Sequence, residues 1–140
     1  MNYYLSCVRK ENFEIIQKRN FAVIGFHANS HIANNLEPGD RIVLYVGSRV
    51  SCFSAILEVK SKVYWDNELI WDDVFPKRVK TSPFLILKKD EWVDVREILS
   101  ELSFVTNKYR FGMSFMAGLR SLPFEDGERI KNRMEQCDGI

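Results

Sequence analysis

The sequence predicts an α+β protein built on a mixed, mostly antiparallel β-barrel of about five or six strands, with short helices in the connections. Apolar and β-branched runs of strand length recur along the chain, and turn-forming residues separate them. These runs outnumber the helical patterns and do not alternate with them regularly, which argues against a doubly wound parallel sheet. The chain has 140 residues, of which 46% are hydrophobic, so we expect residues 1–140 to form a single domain.

The first third of the chain predicts two strands and two short helices. Tyr3–Val8 is apolar and ends at a charged stretch, which is typical of a strand. Asn12 is a good N-cap for a short amphipathic helix that follows. Phe21–Phe26 predicts the next strand and His27–Leu36 a second short helix, before the turn signal Pro38–Asp40.

A β-hairpin is predicted in the middle of the chain. Its strands are Ile42–Val46 and Phe53–Val59, separated by a glycine-containing turn. The acidic stretch Asp66–Asp73 is expected to be a loop. Phe75–Thr81 then begins another strand, in which Pro83 predicts a bend or an edge position because proline cannot donate a backbone hydrogen bond.

The C-terminal part predicts helices with recognisable starts. Asp94 and Glu97 have the spacing of a capping box, which indicates a short helix. The last helix is expected to begin at Pro123, with Ile130 and Met134 on its buried face.

The composition excludes several classes of protein. Lysine and arginine number 20 against 19 aspartate and glutamate residues, so any attraction to phosphate must come from a local patch. The three cysteines, Cys7, Cys52 and Cys137, form no Cys-x-x-Cys motif, which favours a reducing cytoplasm over a disulfide framework. There is no apolar run of about 20 residues and no signal-peptide pattern, so we expect a cytoplasmic protein without a membrane partner.

Motifs for metal binding and catalysis are weak. His27 and His31 lie four residues apart, but no carboxylate or cysteine near them completes a ligand set. The sequence contains no nucleophile elbow and no glycine-rich phosphate loop. We therefore predict no metal, no cofactor and no catalytic residue.

Aromatic and cationic residues are interleaved in two stretches, around Trp71–Lys80 and in Phe104–Asp126. Rings of this kind stack on nucleic-acid bases, and cations beside them hold the backbone. The alternative is that the rings fill the core and the cations form its solvated rim. The residues alone leave both interpretations open.

Four segments, in this order, resemble the EVE-domain family of PUA-like β-barrels over residues 2–135. The opening strand and helix are similar to NYYLSCVRKENFEIIQKRN, and the family's Pro-Gly-Asp turn and next strand are similar to LEPGDRIVLYV. The central Glu-Val strand end, Ile-Trp loop and Tyr-Pro-x-Arg-Val-Lys strand are similar to ILEVKSKVYWDNELIWDDVFPKRVK. The closing stretch is similar to FVTNKYRFGMSFMAGLRSLPFED.

The resemblance implies a non-catalytic module, related to YTH and PUA domains, that accepts a flipped and often modified base of RNA or DNA at one end of the barrel. Extruding a base costs a few kcal/mol, which a pocket with stacking walls must recover. By position, the resemblance implies phosphate contacts at Arg78, Lys108 and Arg110. It implies a base pocket formed by Tyr4, Ser6, Cys7, Ile24, Gly25, Phe26, Tyr45, Ser48, Trp71 and Phe111.

The chain differs from the family pattern at two positions where the family often has tryptophan, which are Ile24 and Phe111 here. Two other functions stay open at this point. One is a PUA-like binder of a small molecule or free nucleotide. The other is a nucleotide-processing enzyme, which would need a residue with a shifted pKa beside a partner, such as Cys7 near His27.

Overall fold

The strands form one curled sheet. The computed structural model describes residues 1–47, 49–107, 109, 111–115 and 118–137, apart from the side chains of residues 113 and 137. Its strands are β1 (Tyr3–Val8), β2 (Val23–Phe26), β3 (Arg41–Val46), β4 (Cys52–Val59), β5 (Tyr64–Trp65), β6 (Lys77–Ile86), β7 (Val93–Asp94) and β8 (Leu119–Leu122).

Six of these strands follow one another in the order β2-β6-β4-β3-β1-β8, while β5 pairs with β6 and β7 with β4. The β1–β3 pair is parallel, and the other pairs between described strands are antiparallel. The predicted mixed, mostly antiparallel sheet is confirmed.

The helices are short, and all of the described ones except the last lie in connections between strands, as predicted. Two α-helices occur in the described residues, α1 (Lys10–Lys18) and, after the last strand, α2 (Phe124–Cys137). Among the described residues, 3-10 turns occur at Ile32–Asn35, Lys89–Glu91, Val95–Glu97, Leu99–Glu101 and Phe111–Phe115. Within the described ranges, no helix is both long and apolar enough to cross a bilayer.

The central strands are buried on both faces, so the sheet separates two cores. Val43 of β3 faces a core that Met134 of α2 helps to close. Leu44, the next residue, faces a second core that Phe13 of α1 helps to close. Because neighbouring residues of a strand point to opposite faces, these strands have continuous apolar runs instead of an alternating pattern.

Most predicted elements are present, with differences in detail. The β3–β4 hairpin, the loop over 66–73, the Asp94 capping box and the last helix are found. The predicted helix over 27–36 is reduced to the 3-10 turn Ile32–Asn35. The prediction that Asn12 caps α1 is wrong: Arg9 is the N-cap residue, and Asn12 is buried inside the helix, where it binds Asp72.

Pro83 lies inside β6 without breaking it. β2 pairs with β6 only as far as Lys80, so at Pro83 the strand has β4 as its neighbour on one side. The register of the β4–β6 pair shifts between Ile56 and Leu57, and Leu57 is the partner of Pro83. The missing amide hydrogen therefore falls at an irregular, one-sided position, as expected for proline in a sheet.

A buried carboxylate attaches the segment before β8 to α2. Asp126 is fully buried in the first turn of α2. It accepts hydrogen bonds from the amide of Ser103 (3.0 Å), the hydroxyl of Ser103 (2.8 Å) and the amide of Phe104 (3.0 Å). Arg129 donates to it at 3.0 Å. This network fixes the start of the chain segment that runs on to Phe111–Phe115.

Replacing Gly127 with alanine is expected to destabilise the fold. A Cβ at this position would lie 2.2 Å from Cγ of Tyr3, a fully buried ring that cannot move away easily. Forced overpacking of this kind costs about 1–3 kcal/mol in the free energy of unfolding, which urea denaturation measures. Gly112→Ala is the control, because no atom lies within 4 Å of its added Cβ; equal losses in both variants would contradict the prediction.

Candidate functional site: an aromatic cleft between the two cores

A cleft of about 1090 Å³ opens where the two cores meet, at the C-terminal ends of β1 and β3. The first and last strands of the sheet order, β2 and β8, both contribute to it, so it lies where the curled sheet brings its edges together. Its walls carry the aromatic rings of Phe26, Tyr45, Trp71, Phe75, Phe111 and Phe115.

One wall is formed by Trp71 and Phe75, which pack directly on the backbone of β2. A Cβ added to Gly25 would lie 2.5 Å from the Trp71 ring and 2.9 Å from both the Cβ and the carbonyl oxygen of Phe75. Glycine at this position therefore allows the acidic loop to lie flat on the sheet. Phe75 itself adopts a φ of 44°, a conformation that is strained for a bulky residue.

Arg78 hydrogen-bonds to the backbone of the loop that carries this wall. Its side chain is 0% exposed, and it donates from Nε to the carbonyl of Phe75 at 3.1 Å and from Nη2 to the carbonyls of Val74 (2.8 Å) and Glu68. Its Nη1 lies 3.3 Å from a carboxylate oxygen of Asp66, and its guanidinium carbon lies 5.1 Å from the centre of the Trp71 ring. The predicted phosphate contact at Arg78 is wrong, because a fully buried guanidinium cannot reach a polymer backbone.

The helix α1 and the residue before it also bind this loop. The Asn12 amide donates to Asp72 Oδ1 at 2.9 Å, and the Asp72 backbone amide donates to Asn12 Oδ1 at 3.1 Å. Arg9, which precedes α1, donates to the other oxygen of Asp72 at 3.0 Å. Trp71 is therefore fixed on both sides, by Arg78 through the loop carbonyls and by Asn12 through Asp72.

A second group of packed rings also lines the cleft. Tyr45 stacks on Phe115 with a centroid distance of 4.3 Å and an interplanar angle of 22°. Phe111 meets Phe115 edge-on at 6.4 Å. Tyr45 and Phe115 are buried, whereas Phe111 is half-buried, so Phe111 presents the accessible ring of this group.

Cys7 lies near the inner end of the cleft. Its sulfur is 3.1 Å from the position that a Cβ on Gly47 would occupy, and its amide donates to the carbonyl of Gly118 at 2.8 Å. Burial raises the pKa of the Cys7 thiol to about 11. A reactive cysteine needs a lowered pKa, so this environment opposes nucleophilic chemistry.

The charged groups around the cleft largely balance one another. Arg9 lies beside Asp72, and Asp73 is the other charged residue of the described lining, which also contains His27 and His31. No group of three or more potential metal ligands occurs in the described part of the chain. As far as the described residues show, the cleft is therefore an apolar, ring-lined space whose rim has one cation and two carboxylates.

The structure brings together most of the residues predicted for a base pocket. The lining includes Ser6, Cys7, Ile24, Gly25, Phe26, Tyr45, Trp71 and Phe111. Tyr4 does not line the cleft: it is buried in β1 two residues before Ser6, roughly 7 Å from the cleft. Burial raises the pKa of Tyr4, and the carboxylates of Asp40 and Glu37 raise it further. Ser48, Lys108 and Arg110 lie outside the described residues.

Phe75, Phe115 and Asn12 are among the lining residues that were not in the predicted pocket. Phe75 and Phe115 were grouped with the interleaved rings, but the sequence does not separate a lining ring from a core ring. Asn12 was interpreted as a helix cap. Its spacing of four residues from the buried Ile16 places it on the inner face of α1, and that periodicity is the signal that identifies it.

No protein-family model matches the chain. Among curated proteins it is 29% identical to UPF0310 protein PH1033 from Pyrococcus horikoshii, over 94% of this chain and 97% of that protein.

Solved structures show the same fold at low sequence identity. Protein Atu2648 from Agrobacterium tumefaciens superposes with a TM-score of 0.66 at 15% identity, covering 99% of this chain and 97% of that one. The YTH domain of MRB1 from Zygosaccharomyces rouxii, solved in complex with N6-methyladenosine RNA, superposes with a TM-score of 0.61 at 13% identity, covering 95% and 87%. The chain therefore has the fold of YTH domains.

Replacing Arg78 with methionine is expected to lower the free energy of unfolding by about 3 kcal/mol or more, because three loop carbonyls lose their buried donor. Urea denaturation measures the loss. Arg96→Met is the matched control, since Arg96 is 64% exposed in a surface ion pair with Asp94 and such pairs contribute little. A loss at Arg78 no larger than at Arg96 would disprove the structural role.

Cys7 is expected to react slowly with iodoacetamide. The thiolate is the reactive form, and a pKa of about 11 leaves about 100-fold less of it at pH 8 than the ordinary value of 9.0 does. The rate should rise with pH up to about 11. Mass spectrometry of a Cys52→Ser/Cys137→Ser variant follows Cys7 alone, and the same protein in urea is the control. Equal rates in native and denatured protein would contradict the burial of Cys7.

Proposed function

We propose that this chain is a non-catalytic, EVE-type member of the PUA-like group that takes a flipped, modified base of RNA or DNA into the aromatic cleft. The observation that carries the proposal is that two groups of packed rings line one cleft, Trp71 with Phe75 and Phe111 with Phe115. Stacking on aromatic rings contributes about 1–3 kcal/mol per base, enough to offset much of the cost of flipping.

The chemistry of the cleft supports a neutral, planar guest. Its rim has little net charge, so binding energy would come from stacking and hydrogen bonds at the base edge. The buried Nε1 of Trp71 finds no acceptor among the described residues. An unpartnered buried donor costs about 1–3 kcal/mol, and a base acceptor that reached it would remove that cost. A methyl group on the base would add contact with apolar walls such as Ile24 and Phe26.

The fold of YTH domains, one of which was solved with N6-methyladenosine RNA, supports the same proposal. The raised pKa of Cys7 speaks against the nucleotide-processing enzyme that the sequence left open. A free nucleoside or nucleotide is the second candidate ligand, favoured by the balanced charge of the rim, because a polymer backbone finds few cations in the described lining.

The test is a titration with nine-nucleotide single-stranded RNA and DNA carrying central adenine or N6-methyladenine, and cytosine or 5-methylcytosine, at two salt concentrations. We expect micromolar or tighter binding of one modified oligonucleotide, with a shallow salt dependence because few phosphates are contacted. Free nucleosides are titrated in parallel.

A cleft-blocking variant tests the location. Gly112 lines the cleft and has open space around its Cβ position, so Gly112→Trp fills the cleft without disturbing the core and should abolish binding. Phe124→Ala, which removes a half-exposed ring on α2 away from the cleft, should bind normally. Absence of oligonucleotide binding at low salt, or unchanged binding by Gly112→Trp, would overturn the proposal.

A further inference from the structure

A row of three side chains leads out of the cleft across three neighbouring strands. Trp65 of β5 is directly opposite Lys77 of β6, and Lys77 is directly opposite Phe26 of β2. Residues opposite each other in antiparallel strands share one face of the sheet. Two strand spacings separate Trp65 from Phe26, a Cα separation of roughly 10 Å.

The row changes from buried to exposed along its length. Phe26 is buried and lines the cleft. Lys77 is half-buried, and its ammonium donates to the carbonyl of Ser30, another lining residue, at 2.9 Å. Trp65 is 58% exposed. The three residues thus form a row that begins in the cleft lining at Phe26 and ends at an exposed ring.

Trp65 is an exposed ring in a fixed orientation. Its indole nitrogen donates to the side-chain oxygen of Asn67 at 2.9 Å. The following residue, Asp66, has its carboxylate 3.3 Å from Arg78, which offsets the negative charge nearest the ring. A large apolar ring kept at the surface and oriented by its polar atom is suited to stack a base, whatever the base's identity.

Lys77 is placed to contact a backbone between two bases. A lysine ammonium has three donors, and the bond to Ser30 uses one of them. A nucleotide chain with one base beside Phe26 and the next over Trp65 would carry its linking phosphate past this ammonium.

From this arrangement we propose a second subsite, Trp65 with Lys77, that takes the nucleotide adjacent to the base in the cleft. Trp65 stacks the neighbouring base and Lys77 contacts the phosphate between them. This inference rests on the proposed function and extends it, since it makes the ligand a polymer of at least two nucleotides and excludes a free nucleoside as the full ligand.

The experiment compares free N6-methyladenosine with an RNA pentamer that has N6-methyladenosine at its centre and adenosine elsewhere. Trp65→Ala should weaken pentamer binding by about 5- to 150-fold and leave nucleoside binding unchanged. Trp65→Phe should restore most of the affinity because a ring remains. Leu69→Ala removes a similarly exposed apolar side chain from the loop that follows β5 and should have no effect.

Pentamers with an abasic ribose on either side of the central base complete a double-mutant cycle. One of the two pentamers lacks the base that stacks on Trp65. Wild-type protein and Trp65→Ala should bind that pentamer with equal affinity, because the stacked base is already missing. Lys77→Ala should reduce the slope of log Kd against log salt by about 0.7, the value for one single-strand phosphate, and Lys77→Arg should preserve it.

The outcomes separate the two proposals. Nucleoside binding together with a pentamer affinity that Trp65→Ala does not change would overturn the subsite and leave the base cleft standing. The subsite would also be overturned if Trp65→Ala lost as much affinity for both abasic pentamers as for the complete pentamer. Failure of the pentamer and of every nine-nucleotide probe to bind at low salt would overturn both.

Discussion

The candidate site depends on one buried guanidinium. Arg78 comes from β6, next to the edge strand β2, and burying its charge is costly unless the charge is paired and its donors are hydrogen-bonded. The loop that crosses it supplies the pairing and most of the hydrogen bonds: three backbone carbonyls accept from Nε and Nη2, and the carboxylate of Asp66 pairs with Nη1. The planar fork of arginine can reach several acceptors at once, whereas a lysine ammonium cannot match that geometry. The loop and the arginine therefore require each other, and Trp71 is held between them.

Much of the cleft could be predicted from the sequence, because its residues follow the ends of predicted strands. The cleft lining contains Ser6 and Cys7 near the end of β1, Tyr45 near the end of β3, and Ile24–Phe26 in β2, all of which the sequence grouped together. Tyr4 was not, since strand periodicity tells which face a residue has but not how far along the strand a cavity begins.

Arg78 could not be assigned from local pattern. In the stretch Lys77–Lys80 it looks like one of three equivalent cations, and its burial results from a loop that begins about ten residues earlier. The same limit applies to Asn12, whose partner Asp72 lies 60 residues away. Both errors concern polar groups that meet their partners only when the loop over 66–75 has folded onto the sheet and α1, which no local propensity encodes.

The walls of the cleft come from five separate stretches of chain, near residues 6–16, 24–32, 45–51, 71–75 and 111–119. Bringing such distant stretches together is the slow part of folding for a sheet protein. The cleft therefore cannot exist in a fragment or in an early folding intermediate, and a ligand that occupies it would bind only the fully folded chain. The melting temperature of the protein would therefore rise with the concentration of such a ligand. A measurement of the melting temperature would report how much of the cleft is occupied.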